Sequence, residues 1–117
     1  MILGLDWDDT ITEYTQGFKK LVEIATEIHI ITLNKSITHG YASDLLNFYN
    51  HLTVHIMPDG VVNTDLPDFG IGDWKVQKCI ENKVDLMFDD LKEVVDACLR
   101  LGIPAIQVEA RWKEDND

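Results

Sequence analysis

The stretch Ile2-Leu3-Gly4-Leu5-Asp6-Trp7-Asp8-Asp9-Thr10 (ILGLDWDDT) runs from a short apolar segment straight into three carboxylates within four residues. A continuous apolar run of this length, bounded by polar residues, reads as a buried strand. A polar turn would account for one acid after it. Three acids repel one another at the end of a buried strand, and they need a reason to be there. A site that holds a cation beside a phosphate supplies one, because hard oxygen ligands suit such a cation.

Reading outward from this strand, apolar periodicity alternates between strand and helix. A helix is expected over about Thr15–Thr26, where Phe18, Leu21, Val22 and Ala25 fall at i, i+3, i+4 and i+7. Ile28–Leu33 is a second strand. A second helix covers about Gly40–Tyr49, with Ala42, Leu45, Leu46 and Tyr49 in its stripe. Leu52–Ile56 alternates apolar and polar residues, as a half-exposed strand near a sheet edge does. Residues Pro58–Gly72 contain turn formers and no helical period, and read as the longest loop. A third helix is expected from about Asp73, its N-cap, to Asn82. Val84–Phe88 is a strand ending in Asp89-Asp90. Leu91, Val94, Val95 and Cys98 stripe a fourth helix closed by Gly102. Ile103–Val108 is the last strand, and Pro104, which has no N–H for a ladder, assigns it to an edge. Alternating strands and helices give an α/β fold with a mainly parallel sheet. One domain over residues 1–110 and a polar tail over 111–117 are expected.

The chain has 117 residues, 45% of them hydrophobic and 26% charged, which suits one globular domain. No apolar run approaches the eighteen residues of a membrane span, and the acidic start lacks the basic residues of a signal peptide. Cys79 and Cys98 lie on apolar helical positions without metal-type spacing, so reduced core thiols and a cytoplasmic location are expected. The formal net charge of -11 argues against nucleic-acid partners. It also repels small phosphates, so phosphate chemistry here calls for a divalent cation to reverse the local field.

In parallel α/β sheets, ligands bind beyond the carboxyl ends of the strands. Asp6, Asp8 and Asp9 end the first strand, Thr32 and Asn34 the second, and Asp89 and Asp90 the strand beginning at Val84. Lys75, in the first turn of its helix, is expected at the same rim. Lys78 lies one turn, roughly 5 Å, further down. Asn34 and Lys35 are candidates to touch a substrate. Asp9 reads as a solvated or loop-bracing acid and not as a ligand. His29, His39, His51 and His55 show no ligand spacing and read as structural.

These residues carry a resemblance. Asp6-x-Asp8-x-Thr10 after an apolar strand, Thr32 after the second strand, Lys75 on the later helix and Asp89-Asp90 after Val84–Phe88 resemble, in order, the four motifs of the haloacid dehalogenase (HAD) superfamily. The resemblance covers nearly the whole chain. It implies a Rossmann-like sheet in the order 3-2-1-4-5, which sets the first and fourth strands side by side and the fifth at an edge. It implies a phosphatase in which Asp6 is the nucleophile and forms an aspartyl-phosphate. Asp8 is then the general acid and base, Thr32 binds the phosphoryl oxygens and Lys75 neutralises charge. It also implies magnesium, held by Asp6, the main-chain carbonyl of Asp8, and Asp89 and Asp90, and a phosphorylated substrate, small or displayed on a larger molecule. Larger members insert a cap domain, whereas only about eight residues here separate Asp6 from the first helix and the long loop has about fifteen, so a capless, open site is expected.

Other readings start from the same residues. His55-Ile56-Met57-Pro58-Asp59-Gly60 resembles the phospho-acceptor neighbourhood of receiver domains, with histidine where the acceptor aspartate belongs. Within the HAD resemblance, a phosphotransferase or a nucleic-acid-end phosphatase is the alternative to a phosphatase.

Overall fold

The computed structural model describes residues 1–59 and 70–110. Its five strands are β1 (Ile2–Leu5), β2 (Glu27–Thr32), β3 (Leu52–Ile56), β4 (Leu86–Asp89) and β5 (Ala105–Gln107). The helices are α1 (Thr15–Leu21), α2 (His39–Leu46), α3 (Ile71–Glu81) and α4 (Lys92–Arg100). All strand pairings are parallel and the sheet order is β3-β2-β1-β4-β5. The expected α/β class and strand order are therefore observed, with β5 at an edge beside β4, as Pro104 indicated.

Two apolar layers sandwich the sheet. On one face Leu3 and Leu5 of β1 and Ile28 and Ile30 of β2 pack with Phe18 of α1, Val22 just after it, and Ala42 and Leu46 of α2. On the other, Ile31 and Met87 pack with Trp74, Val76, Cys79, Val94, Ala97 and Cys98 from α3 and α4. Both cysteines are buried free thiols. Burial on both faces explains why β1 and β2 read as nearly continuous apolar runs. Helix α3 approaches α4 closely at Gly72, where an added Cβ would lie 2.9 Å from the carbonyl oxygen of Glu93.

Element ends depart from the sequence reading, each for a local reason. Helix α1 stops at Leu21 and tightens into a single 3₁₀ turn over Val22–Ile24, because Thr26 is already tied by its N–H to the carbonyl of Met1 at 2.9 Å. Helix α2 stops at Leu46, because Asn47 turns left-handed (φ 53°, ψ 45°), so Tyr49 lies outside the apolar stripe and is exposed. Asp73 is not the N-cap of α3. Gly70 caps it, and the Asp73 carboxylate accepts the Gly70 N–H at 3.1 Å from the third helical position. Lys75 is accordingly the fifth residue of the helix, beyond its first turn. Val84 closes the turn after α3 by donating to the Cys79 carbonyl at 2.9 Å, so β4 begins at Leu86 and includes Asp89. Ile103 does the same for α4, and β5 shortens to Ala105–Gln107. Most of the expected loop Pro58–Gly72 and the tail with Arg111 and Trp112 lie outside the described residues.

Candidate active site

The carboxyl end of β1 opens into a wide turn closed by the Thr12 N–H, which donates to the Trp7 carbonyl at 3.2 Å. Asp8 is extended and Asp9 is left-handed (φ 62°), a conformation that aspartate tolerates better than most residues. Thr12 Oγ1 accepts the Asp9 N–H at 2.9 Å and braces the turn. The result separates the three neighbours of the motif. Asp6 is buried, Trp7 packs into the core with its ring 5.6 Å from that of Tyr41, and Asp8 is exposed.

Asp6 sits against β4. Its N–H donates to the Phe88 carbonyl at 3.0 Å, which extends the ladder by one bond and brings Asp6 beside Asp89. Lys75 is fully buried (0% exposed), and its Nζ donates to Asp6 Oδ1 at 2.8 Å and Asp89 Oδ2 at 2.7 Å. Thr10 Oγ1 donates to the other Asp6 oxygen at 3.1 Å, and Leu91 N–H to Asp89 Oδ1 at 2.9 Å. Asp90, also buried, completes a group of three aspartates whose oxygens lie within 4.8 Å of one another. This buried cluster could hold a metal ion: its donors are hard, anionic oxygens, as Mg²⁺ and Ca²⁺ require.

The electrostatics show an imbalance of charge. Burial pushes the Asp6 carboxyl up to about 7 despite the pull of Lys75, and the charge of Asp89 and a hydrogen bond with Asp90 add to the rise. Burial likewise raises Asp89, with Lys75 opposing. Burial works against the Lys75 ammonium, but Asp6 and Asp89 outweigh it and hold its pKa above the usual lysine value. Among the described residues, Lys75 is the cation that bonds Asp6 and Asp89.

Thr32, at the end of β2, is buried, and its Oγ1 accepts the Asn34 N–H at 3.0 Å. A hydroxyl that accepts in this way retains its proton for donation. Asn34 Nδ2 donates to Asp8 at 3.1 and 3.3 Å. The structure thus gathers Asp6, Lys75, Asp89 and Asp90 in one buried knot, with Asp8 held apart from it on the Asn34 side. Lys78, the rival of Lys75, lies on the surface and pairs with Glu81 at 3.1 Å. Lys35 pairs with Asp59, both exposed. Two partners were missed by the sequence reading. Thr10 stands four residues after Asp6 inside the quoted motif, and that spacing was a usable signal. The contact of Asn34 with Asp8 joins loops 26 residues apart and had no local signal.

No protein-family model and no curated protein matches the chain. No helix among the described residues is long and apolar enough to cross a membrane.

Proposed function

We propose that this protein is a magnesium-dependent phosphomonoesterase of the HAD type, capless, acting through an aspartyl-phosphate on Asp6. The observation that carries this reading is the buried Lys75 ammonium, shared between Asp6 and Asp89 at the ends of adjacent strands, with Asp8 exposed two residues from Asp6. A structural ion pair needs one acid. An ammonium and three converging carboxylates match a reaction whose transition state asks mainly for positioning and charge compensation.

The residues perform the following steps. An Asp6 carboxylate oxygen attacks phosphorus as the bond from phosphorus to the leaving oxygen breaks. Asp8 gives that oxygen its proton. Water then attacks the phosphorus of the aspartyl-phosphate while Asp8 takes a proton from it, and the phosphorus–oxygen bond to Asp6 breaks to release phosphate, restoring the Asp6 carboxylate and the protonated Asp8. Lys75 and the Thr32 hydroxyl hold the phosphoryl oxygens. Thr10 fixes the Asp6 rotamer. Asp6, Asp90, Asp89 and the main-chain carbonyl of Asp8 would hold magnesium. Asp89 engages Lys75 with one oxygen and the Leu91 N–H with the other. When bound, the ion supplies the positive charge that the acids lack.

The sheet order counts against the receiver reading, since receiver domains follow the order 2-1-3-4-5. The short β1–α1 connection supports an open site and a substrate presented from outside, either a small phosphate or a phosphate on a larger molecule.

The test is hydrolysis of an activated aryl phosphate with magnesium, and the mass of the intact protein during turnover. Slow hydrolysis abolished by chelator, with one phosphoryl group trapped on Asp6, supports the reading. Full activity in excess chelator overturns the metal's part, and an adduct mapping to another residue, such as Asp59, overturns the nucleophile.

A further inference from the structure

Asn34 is held more firmly than an ordinary loop residue. Its N–H donates to Thr32 Oγ1 at 3.0 Å, and its side-chain Oδ1 accepts the Ser36 N–H at 2.9 Å. The second bond closes an Asx turn, a local device by which asparagine mimics a backbone turn. It also decides which way the amide points. With Oδ1 engaged by Ser36, the NH₂ end must face the other way, and there it meets Asp8, at 3.1 Å from Oδ2 and 3.3 Å from Oδ1. One residue therefore braces the Thr32 hydroxyl with its main chain and the Asp8 carboxylate with its side chain.

Asp8 needs such a brace. It lies exposed on an irregular turn, where no packing fixes its rotamer. Proton transfer to a leaving oxygen needs heavy atoms within about 2.6–3.2 Å. A displacement of about 1 Å is enough to cost a factor of about 10². Asp6 has Lys75 and Thr10 to hold it, whereas Asn34 is the donor that reaches Asp8 from the neighbouring strand end.

We propose that Asn34 is the positioning residue for acid–base catalysis, fixing the Asp8 carboxylate over the leaving oxygen and then over the attacking water. The inference rests on the phosphatase reading above. Asn34 moves no proton itself. Its contribution is felt only in steps that use Asp8, that is, expulsion of a poor leaving group and hydrolysis of the aspartyl-phosphate.

Asn34→Asp isolates this role. The substituted side chain still accepts the Ser36 N–H, so the turn is kept. The donor is replaced by an oxygen that faces Asp8 and repels it. Wild type, Asn34→Asp and Asn34→Ala are compared with an alkyl phosphate, whose leaving group needs a proton, and an activated aryl phosphate, whose leaving group does not. The aspartyl-phosphate is followed by intact-protein mass, and folding by thermal melting. With the alkyl phosphate, kcat should fall by about 10² in both variants with KM little changed, within the range of general acid–base effects. Phosphorylation by the aryl phosphate should fall less than about threefold, again because only steps through Asp8 are affected. The phosphorylated form should accumulate, as its hydrolysis slows.

Equal losses in the rate of phosphorylation with both substrates, in whichever variant melts as wild type does, would mean that Asn34 only shapes the loop, and the inference fails while the phosphatase reading stands. A wild-type protein that neither hydrolyses the aryl phosphate nor forms an adduct removes the phosphatase reading and this inference with it.

Discussion

Two polar clusters are built into the same sheet, and they differ in whether they are complete. On β2 and β3, buried His29 donates from Nε2 to Glu27 at 2.9 Å, and its Nδ1 lies 2.9 Å from Nε2 of His55, with the two rings stacked at 5.1 Å and 25°. With both rings neutral, His55 donates to His29 and His29 to Glu27, so every inner position has its partner. At the ends of β1 and β4, Asp6, Asp89 and Asp90 meet one ammonium, Lys75. There Lys75 bonds Asp6 and Asp89, and burial of the acids dominates their electrostatics. The first cluster needs nothing from outside. The second leaves Asp6 pushed up to about 7 by burial and by neighbouring acids, the kind of perturbation that functional sites concentrate. Burial of polar groups alone does not mark a site. Burial that shifts a carboxyl this far makes it a candidate.

This contrast can be broken most directly at Asp6. Asp6→Asn should abolish the phosphoryl adduct and all hydrolysis. It should also make the metal-free protein more stable at pH 8, by about 1 kcal/mol or more, since it removes one of the clashing acids. Activity assays and urea denaturation check both halves. A destabilised Asp6→Asn protein would mean that the acid cluster is as self-sufficient as the histidine one. Asp8→Asn, outside the knot, should still be phosphorylated by an activated donor and should then release phosphate slowly.

Removing the Lys75 ammonium should act in the opposite sense. Lys75→Ala leaves buried acids unpaired, and a loss of about 3–5 kcal/mol is expected from breaking a buried pair in this way. In kcat it should cost about 10² or more, because a preorganised charge is lost from the transition state. Lys78→Ala, on the surface, should do little to either. Wild-type activity in Lys75→Ala would remove the lysine from the reaction.

A smaller effect follows from pH. For Asp6, whose pKa is raised on folding from 3.8 to about 7, the folded state holds its proton more tightly. Its stabilising contribution is complete below about 3.8 and is lost as pH rises through about 7. Asp89 shifts in the same direction. Without metal, the stability of wild type relative to Asp6→Asn should therefore fall between pH 4 and pH 8. Magnesium should raise the wild-type Tm more at pH 8 than at pH 5. A magnesium shift independent of pH would place the ion away from this cluster.

The smallest effect is expected in the complete cluster. His55→Phe removes one hydrogen bond of a satisfied pair and should cost about 1–2 kcal/mol with hydrolysis unchanged. Burial and the neighbouring His29 hold the His55 pKa below the usual histidine value. The unfolded chain thus binds the proton more readily, and this contribution is present above about 6.5 and lost as pH falls below it. Loss of activity in His55→Phe would join the two clusters functionally.

Much of this was readable in the chain. The alternation of apolar runs located each strand and α-helix among the described residues, although the ends moved by a few residues wherever a turn competed. Asn47 ended α2 and Gly70 began α3, because backbone conformation and capping bonds are decided by what the chain must reach next. Asp6, Asp8 and Thr32 were legible from their places at strand ends. Lys75 was preferred to Lys78 on helical rise, and it reaches the rim even from the second turn of α3. The grouping of Asp90 with Asp6 and Asp89 was expected from the resemblance, whereas the brace on Asp8 was not legible. The same holds for the pairing of His29 with His55, which read as unrelated histidines 26 residues apart.

The sequence by itself determined which residues are buried and which strand ends carry charge, because apolar periodicity and strand termini are local properties. Only the tertiary structure decided who meets whom. Asp6 faces Asp89 because β1 pairs with β4, a contact between segments 83 residues apart that no local pattern encodes. Lys75 lies across both because α3 packs closely on α4 at Gly72. Asn34 meets Asp8 because β1 and β2 are adjacent and both strand ends open on one rim. Such juxtapositions follow from sheet order and helix packing, which minimise exposed apolar area over the whole chain, and so they exist only once the chain has folded.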